Sequence, residues 1–499
     1  MAVAVQRGRC ARGPRRRLWL RRAARPSLLA LGLMLALSAE AGDWDVQPDI
    51  RISQTWTDNI DLVAEDPEEE WITEVAPGIR LTGEGRRSSA VLGYRLLRLF
   101  HVNDSDRDRV NHRVAGQGSV EVARERLFLD ADVTRRERLS GPDAGVADTV
   151  VFRDDERETV TTLGGGPRVQ HDLSRFARFD AAYRRERIDF GGDERDVSDI
   201  DRYTAGLSSG PQFSRWGWAL AYSRRDESRD QAGRDLQEIR FEDVRGEINL
   251  RAGPATQLFA AGGYEDNEFT TAAGRETFDG SFWETGARWR PRRNVAVEAA
   301  VGERFFGETA RASVTARGPA LRVDLDYAED LVTTPGLEFE RTTVLFRDAD
   351  GNIILDPDGT PVSGVVDVPT LRDDVMRQRR LSTRLGWERA HSDVALRLMT
   401  TEREFLLEGL TEDRQQADLD WRWTRLPRTT IRSGIGTSRQ EFARSDRVDD
   451  VHTLRWRASR DLGRDADVAL DLRHVRRDSN VDAADFRSNR VTLTLQKRF

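Results

Sequence analysis

Cysteine is almost missing from this chain of 499 residues, and the single one, Cys10, lies in a segment that we expect to be removed. The mature protein would then contain no thiol, which excludes a disulfide, a zinc–thiolate site and a cysteine nucleophile. Histidine is scarce as well, with six residues scattered along the chain. We find no HExxH or GxSxG sequence and no clustered Cys/His pattern. We therefore predict a protein that is not an enzyme and that holds no cofactor and no metal.

Long apolar runs are also missing, apart from one near the N-terminus. The run Leu28 to Leu37 follows nine arginines and precedes the small-x-small sequence Ala39-Glu40-Ala41. This order is typical of a secretory signal peptide, so we predict a signal peptide over residues 1–41 with cleavage after Ala41. The run is too short to cross a bilayer as a helix, which leaves a retained membrane anchor as the weaker alternative.

The charge balance does not suggest a basic surface for nucleic acid. Charged residues make up 33% of the chain. Removing the nine arginines and one glutamate of the predicted signal peptide leaves 70 basic and 85 acidic residues, a net charge of −15. Such polarity suits either a soluble elongated or disordered protein, or a β-barrel whose lumen and loops are hydrated. The periodicity of the apolar residues has to distinguish these two classes.

The last residues of the chain alternate strictly between apolar and polar side chains. In the stretch Ser488 to Phe499, the apolar phase holds Val491, Leu493, Leu495 and Phe499. Strict alternation predicts a strand with one apolar and one polar face. A terminal strand that ends in phenylalanine resembles the C-terminal assembly signal of outer-membrane β-barrels. We predict that these four residues form that signal.

The same alternation recurs along the whole mature chain. After Gly318-Pro319, for example, Leu321, Val323, Leu325 and Tyr327 alternate with charged residues. Short turns recur about every 40 residues, which is the rhythm of barrel hairpins. We predict an all-β fold, a single antiparallel transmembrane β-barrel of about 22 strands, within a range of roughly 18 to 24. An even count places both termini on the periplasmic side of a Gram-negative outer membrane.

The predicted barrel occupies residues 42–499, without a linker or a second domain. Its first strand is expected near Ile50, which leaves no room for an N-terminal plug domain of the kind that fills large siderophore transporters. The longest connection, near residues 332–374, is predicted to be an extracellular loop that either stands outside the barrel or folds into the pore.

Several tryptophans in the apolar phase lie beside the short turns. A ring of aromatic side chains suits a membrane interface, where one side is apolar and the other is wet. The alternative is that these residues are core aromatics of a soluble β protein. We predict a periplasmic aromatic girdle formed by Trp216, Trp218, Trp289, Trp387, Trp421, Trp423 and Trp456.

The opposite phase is charged. It contains Arg95, Arg98, Glu121, Arg178, Asp180, Arg322, Asp324, Asp326, Arg384, Arg397, Asp418, Asp420, Arg422, Arg432, Arg455, Arg457, Asp471 and Arg473. An arginine facing lipid at the membrane midplane would cost ~2–4 kcal/mol, so we expect this phase to face a polar lumen. The charges could form a structural ladder of arginine–carboxylate pairs or line a conduit for a polar polymer or solute. As candidate lumen charges we single out Arg322, Asp324, Arg384, Arg397, Arg432, Arg455 and Arg473.

Three stretches of the chain resemble a known family. They are Ile50 to Leu62, Gly280 to Gly307 with its continuation to Leu331, and Arg377 to Arg384 with the region that follows it to Phe499. Together they are similar to the PEP-CTERM system-associated outer-membrane β-barrel family. The resemblance implies a Gram-negative outer-membrane protein that is encoded alongside exopolysaccharide synthesis and exosortase genes. It implies no active-site residues.

We therefore expect a pore or an assembly component associated with exopolysaccharide export and the PEP-CTERM protein surface system. The alternatives are a general diffusion porin for small polar solutes and a non-conducting structural or adhesion barrel. The expected partners are outer-membrane lipid and lipopolysaccharide, the barrel assembly machinery, and polysaccharide with its export proteins. No nucleic acid is expected.

Overall fold

The computed structural model describes residues 43–139, 157–191, 196–231, 237–271, 274–333, 375–406, 408–443 and 445–499. The predicted signal peptide lies outside these residues, as does the predicted long loop from residue 334 onward. The described chain forms 22 β-strands and two short 3-10 turns, Ser105–Arg107 and Asp482–Ala484. Within the same residues, no helix combines the length and the apolar character that crossing a membrane requires.

The strands follow one another along the chain without any helical layer between them. In order they are β1 (Asp43–Thr57), β2 (Glu70–Glu84), β3 (Ser88–His101), β4 (Arg109–Ala123), β5 (Leu127–Leu139), β6 (Arg157–Leu173), β7 (Ala177–Asp189), β8 (Asp196–Ser209), β9 (Trp216–Gln231), β10 (Gln237–Arg251), β11 (Thr256–Thr271), β12 (Gly274–Arg292), β13 (Val295–Arg304), β14 (Gly307–Arg317), β15 (Leu321–Thr333), β16 (Val375–Arg389), β17 (Ser392–Phe405), β18 (Leu410–Trp423), β19 (Thr429–Glu441), β20 (Val448–Asp461), β21 (Ala466–Ser479) and β22 (Phe486–Arg498).

The sheet closes on itself. Each strand pairs antiparallel with the next strand in the chain. In addition, β1 pairs antiparallel with β22, in a register that runs from Asp49 opposite Arg498 to Thr57 opposite Arg490. The fold is therefore a closed antiparallel barrel of 22 strands, which confirms the architecture and the strand number that the alternation predicted.

The first strand begins at Asp43, earlier than the predicted start near Ile50. Its residues before Pro48 pair with β2 alone, because the register with β22 begins only at Asp49. Pro48 lies at the edge of this segment, where a residue without an N–H leaves no partner unsatisfied. The proline weakens the sequence signal for a strand without interrupting the strand itself.

Connections alternate between the two ends of the barrel. We call one end the short-turn end: its ten connections have at most six residues, and the paired ends of β1 and β22 lie there as well. We call the opposite end the loop end, which carries longer connections such as residues 58–69 and the segment between β15 and β16. The alternation of short turns and long loops is not complete, since Phe305 and Phe306 alone join β13 to β14 at the loop end.

Alternation gives every strand an outward face and a face toward the lumen. Large apolar side chains remain exposed on the outward face, for example Ile248 at 64% and Ile435 at 60%. In a water-soluble protein most such side chains would be buried. A continuous apolar outer surface on a closed barrel is the arrangement that a lipid environment requires.

Candidate functional site in the barrel lumen

The seven tryptophans of the predicted girdle lie on the outward face near the short-turn end. Trp216 and Trp218 open β9, and the other five lie close to the ends of β12, β16, β18 and β20. Trp44, near the start of β1, lies at the same level and was missed because the strand was expected to begin later. The seven residues are thus placed where a girdle would be, and their role as membrane anchors stays a prediction.

A second aromatic level lies farther from the short turns. It consists of the six tyrosines of the chain, all in the outward phase: Tyr94, Tyr183, Tyr203, Tyr222, Tyr264 and Tyr327. Each is seven to nine residues from the nearest residue of a short turn, or roughly 18–24 Å along the axis of a barrel with tilted strands. This height is close to the ~25 Å apolar band of outer-membrane barrels. The common phase and spacing of the six tyrosines are visible in the sequence, and they could have predicted this second level, which the tryptophans alone do not show.

The tyrosine hydroxyls mark the edge of the apolar belt. Tyr183 donates to Asp201 at 2.6 Å and Tyr222 donates to Glu242 at 3.1 Å. Beyond this level the outward face carries ion pairs, such as Arg240 Nε with Asp226 Oδ1 at 3.0 Å. The strands therefore continue past the lipid level with a charged outer surface.

The predicted assembly signal lies on the outward face of β22. Val491, Leu493 and Leu495 are exposed there, and the Phe499 ring, just beyond the strand, is 73% exposed. The Phe499 N–H donates to the carbonyl oxygen of Pro48 at 2.9 Å, which makes it the last rung between the two ends of the chain. Recognition of these residues by the assembly machinery stays a prediction.

All seven candidate lumen charges face the lumen. Carboxylate partners include Glu388 for Arg322 at 3.1 Å, Asp420 for Arg397 at 2.6 Å, and Asp418 for Arg455 at 2.9 Å. Asp324 lies opposite Arg384 in the register of β15 and β16, and Arg473 lies opposite Arg455 in that of β20 and β21. The structure thus brings Arg397, Arg455 and Arg473 together on one wall and leaves Arg322 on another.

The prediction that Arg98 lines the lumen is wrong. The residue faces outward, opposite Val75 in the register of β2 and β3. Its guanidinium lies 5.0 Å from the Phe100 ring centroid, while Leu97 and Leu99 are buried on the lumen side. Beyond the tyrosine level the outside is water and the inside is packed protein, so the apolar and polar phases exchange faces.

On the wall from β10 to β14 the lumen charges form a balanced ladder. Its members are Arg245, Arg288, Arg311, Glu247, Glu284 and Glu298. Arg288 Nη1 is 2.9 Å from Glu247 and Arg311 Nη2 is 2.8 Å from Glu284. The Phe259 ring lies under both guanidinium groups, at 4.3 and 5.4 Å. Three cations matched by three anions favour the structural interpretation on this wall.

Ion pairs also reach across an intervening strand. Arg455 of β20 spans β19 to contact Asp418 and Asp420 of β18, at 2.9 and 3.5 Å. Gly434 of β19 lies beneath this contact, and a Cβ there would come within 2.6 Å of Asp420 Oδ1 and 3.2 Å of Arg455 Nε. Glycine is therefore required at this position by the close approach of the ion pair.

The lumen differs between its two halves. In the short-turn half, Arg322, Asp324, Arg384 and Arg432 are exposed although they face inward, so this half contains a solvent-accessible space, which we call the chamber. Toward the loop end the inner face is packed, and its fully buried residues include Ile188, Ile200, Met376 and Phe405. An ion pair is buried in the same layer, with Arg403 Nη1 2.8 Å from Glu412 Oε1.

The first loop contributes to this packed layer. The first part of residues 58–69 folds inward, and Ile60 and Leu62 pack against Ile72, Leu99 and Phe486 on the inner faces of β2, β3 and β22. Because these five side chains are all buried, this part of the loop belongs to the interior of the barrel, whereas residues 64–69 are exposed.

A polar network anchors the same loop from its side. Both carboxylate oxygens of Asp61 accept hydrogen bonds from Arg107, at 2.7 and 3.0 Å. Arg107 also donates to Asp104 at 2.9 Å, and this hydrogen bond holds the pKa of Asp104 below its usual value. Asn59 closes the loop internally, since its amide group exchanges hydrogen bonds with the backbone of Val63.

The end of β15 leans into the lumen. Thr333 Oγ1 donates a 3.0 Å hydrogen bond to Glu227 of β9, and both residues are buried. Five strands lie between β9 and β15 in the sheet, so the contact is made across the mouth of the barrel rather than along its wall. Residues 334–374, which make up most of the predicted loop, lie outside the described chain.

No group of three or more His, Cys, Asp or Glu side chains is placed to hold a metal ion in the part of the chain that the structure covers. That the protein is not an enzyme remains an expectation.

Comparisons with known proteins agree with the fold. No protein-family model matches the sequence, and no curated protein does. Among solved structures, the FrpB iron transporter from Neisseria meningitidis (F3-3 variant) is similar with a TM-score of 0.54 at 9% identity, over 91% of this chain and 82% of that one. The chain has the fold of an outer-membrane β-barrel. Its apolar belt and closed sheet support the same conclusion.

Two further solved structures are similar to this chain to about the same degree. The siderophore receptor PirA from Acinetobacter baumannii has a TM-score of 0.51 at 9% identity, over 91% of this chain and 80% of that one. The open form of the ferric-catecholate import receptor Fiu from E. coli K12 has a TM-score of 0.51 at 9% identity, over 91% and 82%. At this level of identity the outer-membrane barrel shares its fold with these proteins, and nothing about its cargo follows.

Proposed function

We propose that this barrel is a transport component of the outer membrane that serves exopolysaccharide export and the PEP-CTERM protein surface system. The observation that carries the transport part is the contrast between the two halves of the lumen. A charged, solvent-accessible chamber that ends in a packed layer suits a protein that opens for its cargo. A general diffusion porin would need a continuous water-filled channel.

The polysaccharide part rests on the resemblance of Ile50 to Leu62 and Gly280 to Leu331 to that family. In this proposal the periplasmic export proteins deliver polysaccharide to the short-turn end. Outer-membrane lipid and lipopolysaccharide surround the apolar belt, and the barrel assembly machinery inserts the chain.

Uptake of an iron–siderophore complex is the second candidate. The similar structures are named as iron transporters and siderophore receptors, and barrels of 22 strands are typical of outer-membrane transporters with a plugged lumen. This candidate rests on the shared fold, since the described residues are all barrel strands or their connections. Growth on a siderophore as the only iron source separates this candidate from export.

Deletion of the gene tests the proposal. We expect the amount of secreted polysaccharide to fall several-fold and to recover when the wild-type gene is supplied on a plasmid. Unchanged amount and chain length of the polysaccharide would contradict export. Planar-bilayer recordings of the purified protein test the porin alternative, which requires stable open channels in the wild type without any added cargo.

A further inference from the structure

Three arginines lie side by side on the inner face of neighbouring strands. In the sheet register, Arg422 of β18 is opposite Arg432 of β19, and Arg432 is opposite Arg457 of β20. Directly opposed residues of antiparallel strands have their Cβ atoms about 4.5–5.5 Å apart. The three side chains therefore form one lateral row of positive charge, which we call the arginine row.

Among the residues that the structure describes, carboxylates pair with the arginine row only at its two ends. Arg422 Nη1 is 3.6 Å from Asp393 Oδ2, and Arg457 Nη1 is 3.1 Å from Asp471 Oδ1. Arg432, in the middle, makes no hydrogen bond or ion pair with the residues that the structure describes, and it is exposed to the chamber. Arg432 thus lies exposed between two like charges.

The charge of this wall continues toward the loop end. In the next set of lumen positions, Arg455, Arg473 and Arg490 are opposite one another on β20, β21 and β22. Toward the short-turn end, the turns that follow β18 and β20 carry the exposed residues Arg428 and Arg464. A line of arginines thus leads from the rim of the barrel into the chamber.

A purely structural role does not account for the arginine row. Like charges placed directly opposite each other destabilise a sheet, and the wall from β10 to β14 shows how this barrel builds a ladder from equal numbers of arginine and glutamate. Arginine offers several N–H donors in a planar fork that matches carboxylate, sulfate and phosphate groups. The missing anions of the row are then supplied by something that enters the chamber.

We propose that the arginine row binds an acidic polysaccharide, a carbohydrate chain that carries carboxylate or ester-linked anionic groups. This inference rests on the proposed function and adds the charge of the cargo to it. A polymer with repeated anionic groups contacts several adjacent arginines at once, so weak single contacts combine into useful affinity. The polymer can still move along the wall, because each of its anionic groups leaves one arginine and reaches the next independently of the others.

Binding of labelled dextrans by the purified full-length barrel in detergent tests the inference. Fluorescent dextran sulfate is compared with neutral dextran of the same length by fluorescence polarisation at low and moderate salt. We expect dextran sulfate alone to bind and its affinity to fall with salt. The triple variant R422Q/R432Q/R457Q is expected to lose at least tenfold in affinity. Equal binding of the neutral dextran would overturn the inference.

A rim variant provides the matched control. R124Q/R126Q/R215Q also removes three positive charges, from exposed turns after β4 and β8 on another part of the rim. It is expected to change the affinity less than threefold. If this control loses as much affinity for dextran sulfate as the triple lumen variant does, binding depends on the overall charge of the protein, and a specific role of the arginine row is overturned.

Unfolding of R432Q in urea separates binding from structure. If the arginine row binds cargo, R432Q has a urea unfolding midpoint equal to or higher than that of the wild type, while its affinity for dextran sulfate is lower. A lowered midpoint with unchanged binding would show a structural role and overturn the inference. The two proposals can fail separately. If gene deletion lowers the polysaccharide but the triple variant binds dextran sulfate as well as the wild type does, the export proposal is kept and the binding role of the arginine row is overturned.

Discussion

At the scale of single residues, the lumen contains two kinds of arginine. Arg432 is exposed and unopposed by any carboxylate within hydrogen-bonding distance, whereas Arg403 is 1% exposed and held by Glu412 at 2.8 Å and by Gln378 at 3.0 Å. Removing one partner of a buried ion pair leaves the other charge uncompensated, at a cost of ~3–5 kcal/mol, while exposed pairs contribute little. The burial of an ion pair therefore predicts whether neutralising one of its residues lowers the free energy of unfolding.

The substitution Glu412→Gln tests this difference. We expect it to lower the free energy of unfolding by ~3–5 kcal/mol, because the Arg403 charge is left buried without its counterion. Urea titration of the barrel in micelles, followed by tryptophan fluorescence, measures the change. As a control, Asp172→Asn breaks the fully exposed pair of Arg178 and Asp172 and is expected to leave the midpoint unchanged. Equal effects of the two substitutions would contradict the argument.

At the scale of the strand, β22 determines whether the barrel closes. Its outward apolar side chains face lipid, and the Phe499 N–H provides the last hydrogen bond to β1, at Pro48. A chain shortened by this residue loses both the terminal ring and that hydrogen bond. Closure is thus linked to the very end of the chain.

Deletion of Phe499 is expected to impair assembly more than any single substitution of a lumen arginine by alanine. The fraction of heat-modifiable, folded protein in outer-membrane preparations measures it, and we expect a several-fold decrease. Arg432→Ala serves as the comparison and is expected to match the wild type. The assembly-signal interpretation fails if the truncated protein folds to the same extent.

Strand number and the two faces could be predicted from the sequence because a period of two residues is local. Leu493 and Thr494 belong to opposite faces whatever their neighbours do. The exchange of faces at Leu97 and Arg98 was not predictable in this way, since it depends on where the lipid ends. Nor was the contact of Arg455 with Asp418, which depends on the register of strands far apart in the chain.

At the scale of the whole molecule, the two ends of the barrel carry opposite charge. Exposed arginines such as Arg124, Arg293 and Arg464 dominate the short turns. The loop of residues 58–69 is instead rich in aspartate and glutamate. This polarity distinguishes the ends chemically, and which end faces the periplasm stays a prediction.

Single introduced cysteines test the sidedness, because the mature chain has no thiol of its own if Cys10 is removed with the predicted signal peptide. We expect a membrane-impermeant maleimide to label Glu65→Cys, at the loop end, on intact cells. Arg124→Cys, at the short-turn end, is expected to react only after the outer membrane is disrupted. The reverse pattern would overturn periplasmic termini, and labelling of the wild type would show that Cys10 is retained.

The tyrosine level also determines how far the barrel stands above its membrane. From Tyr222 to the end of β9 at Gln231, and from Tyr94 to the end of β3 at His101, the wall continues for another seven to nine residues, or roughly 18–24 Å. In the predicted orientation, with the loop end outside, this part of the wall stands above the lipids. Under the proposed export function, cargo would therefore leave the barrel at that height and not at the lipid surface.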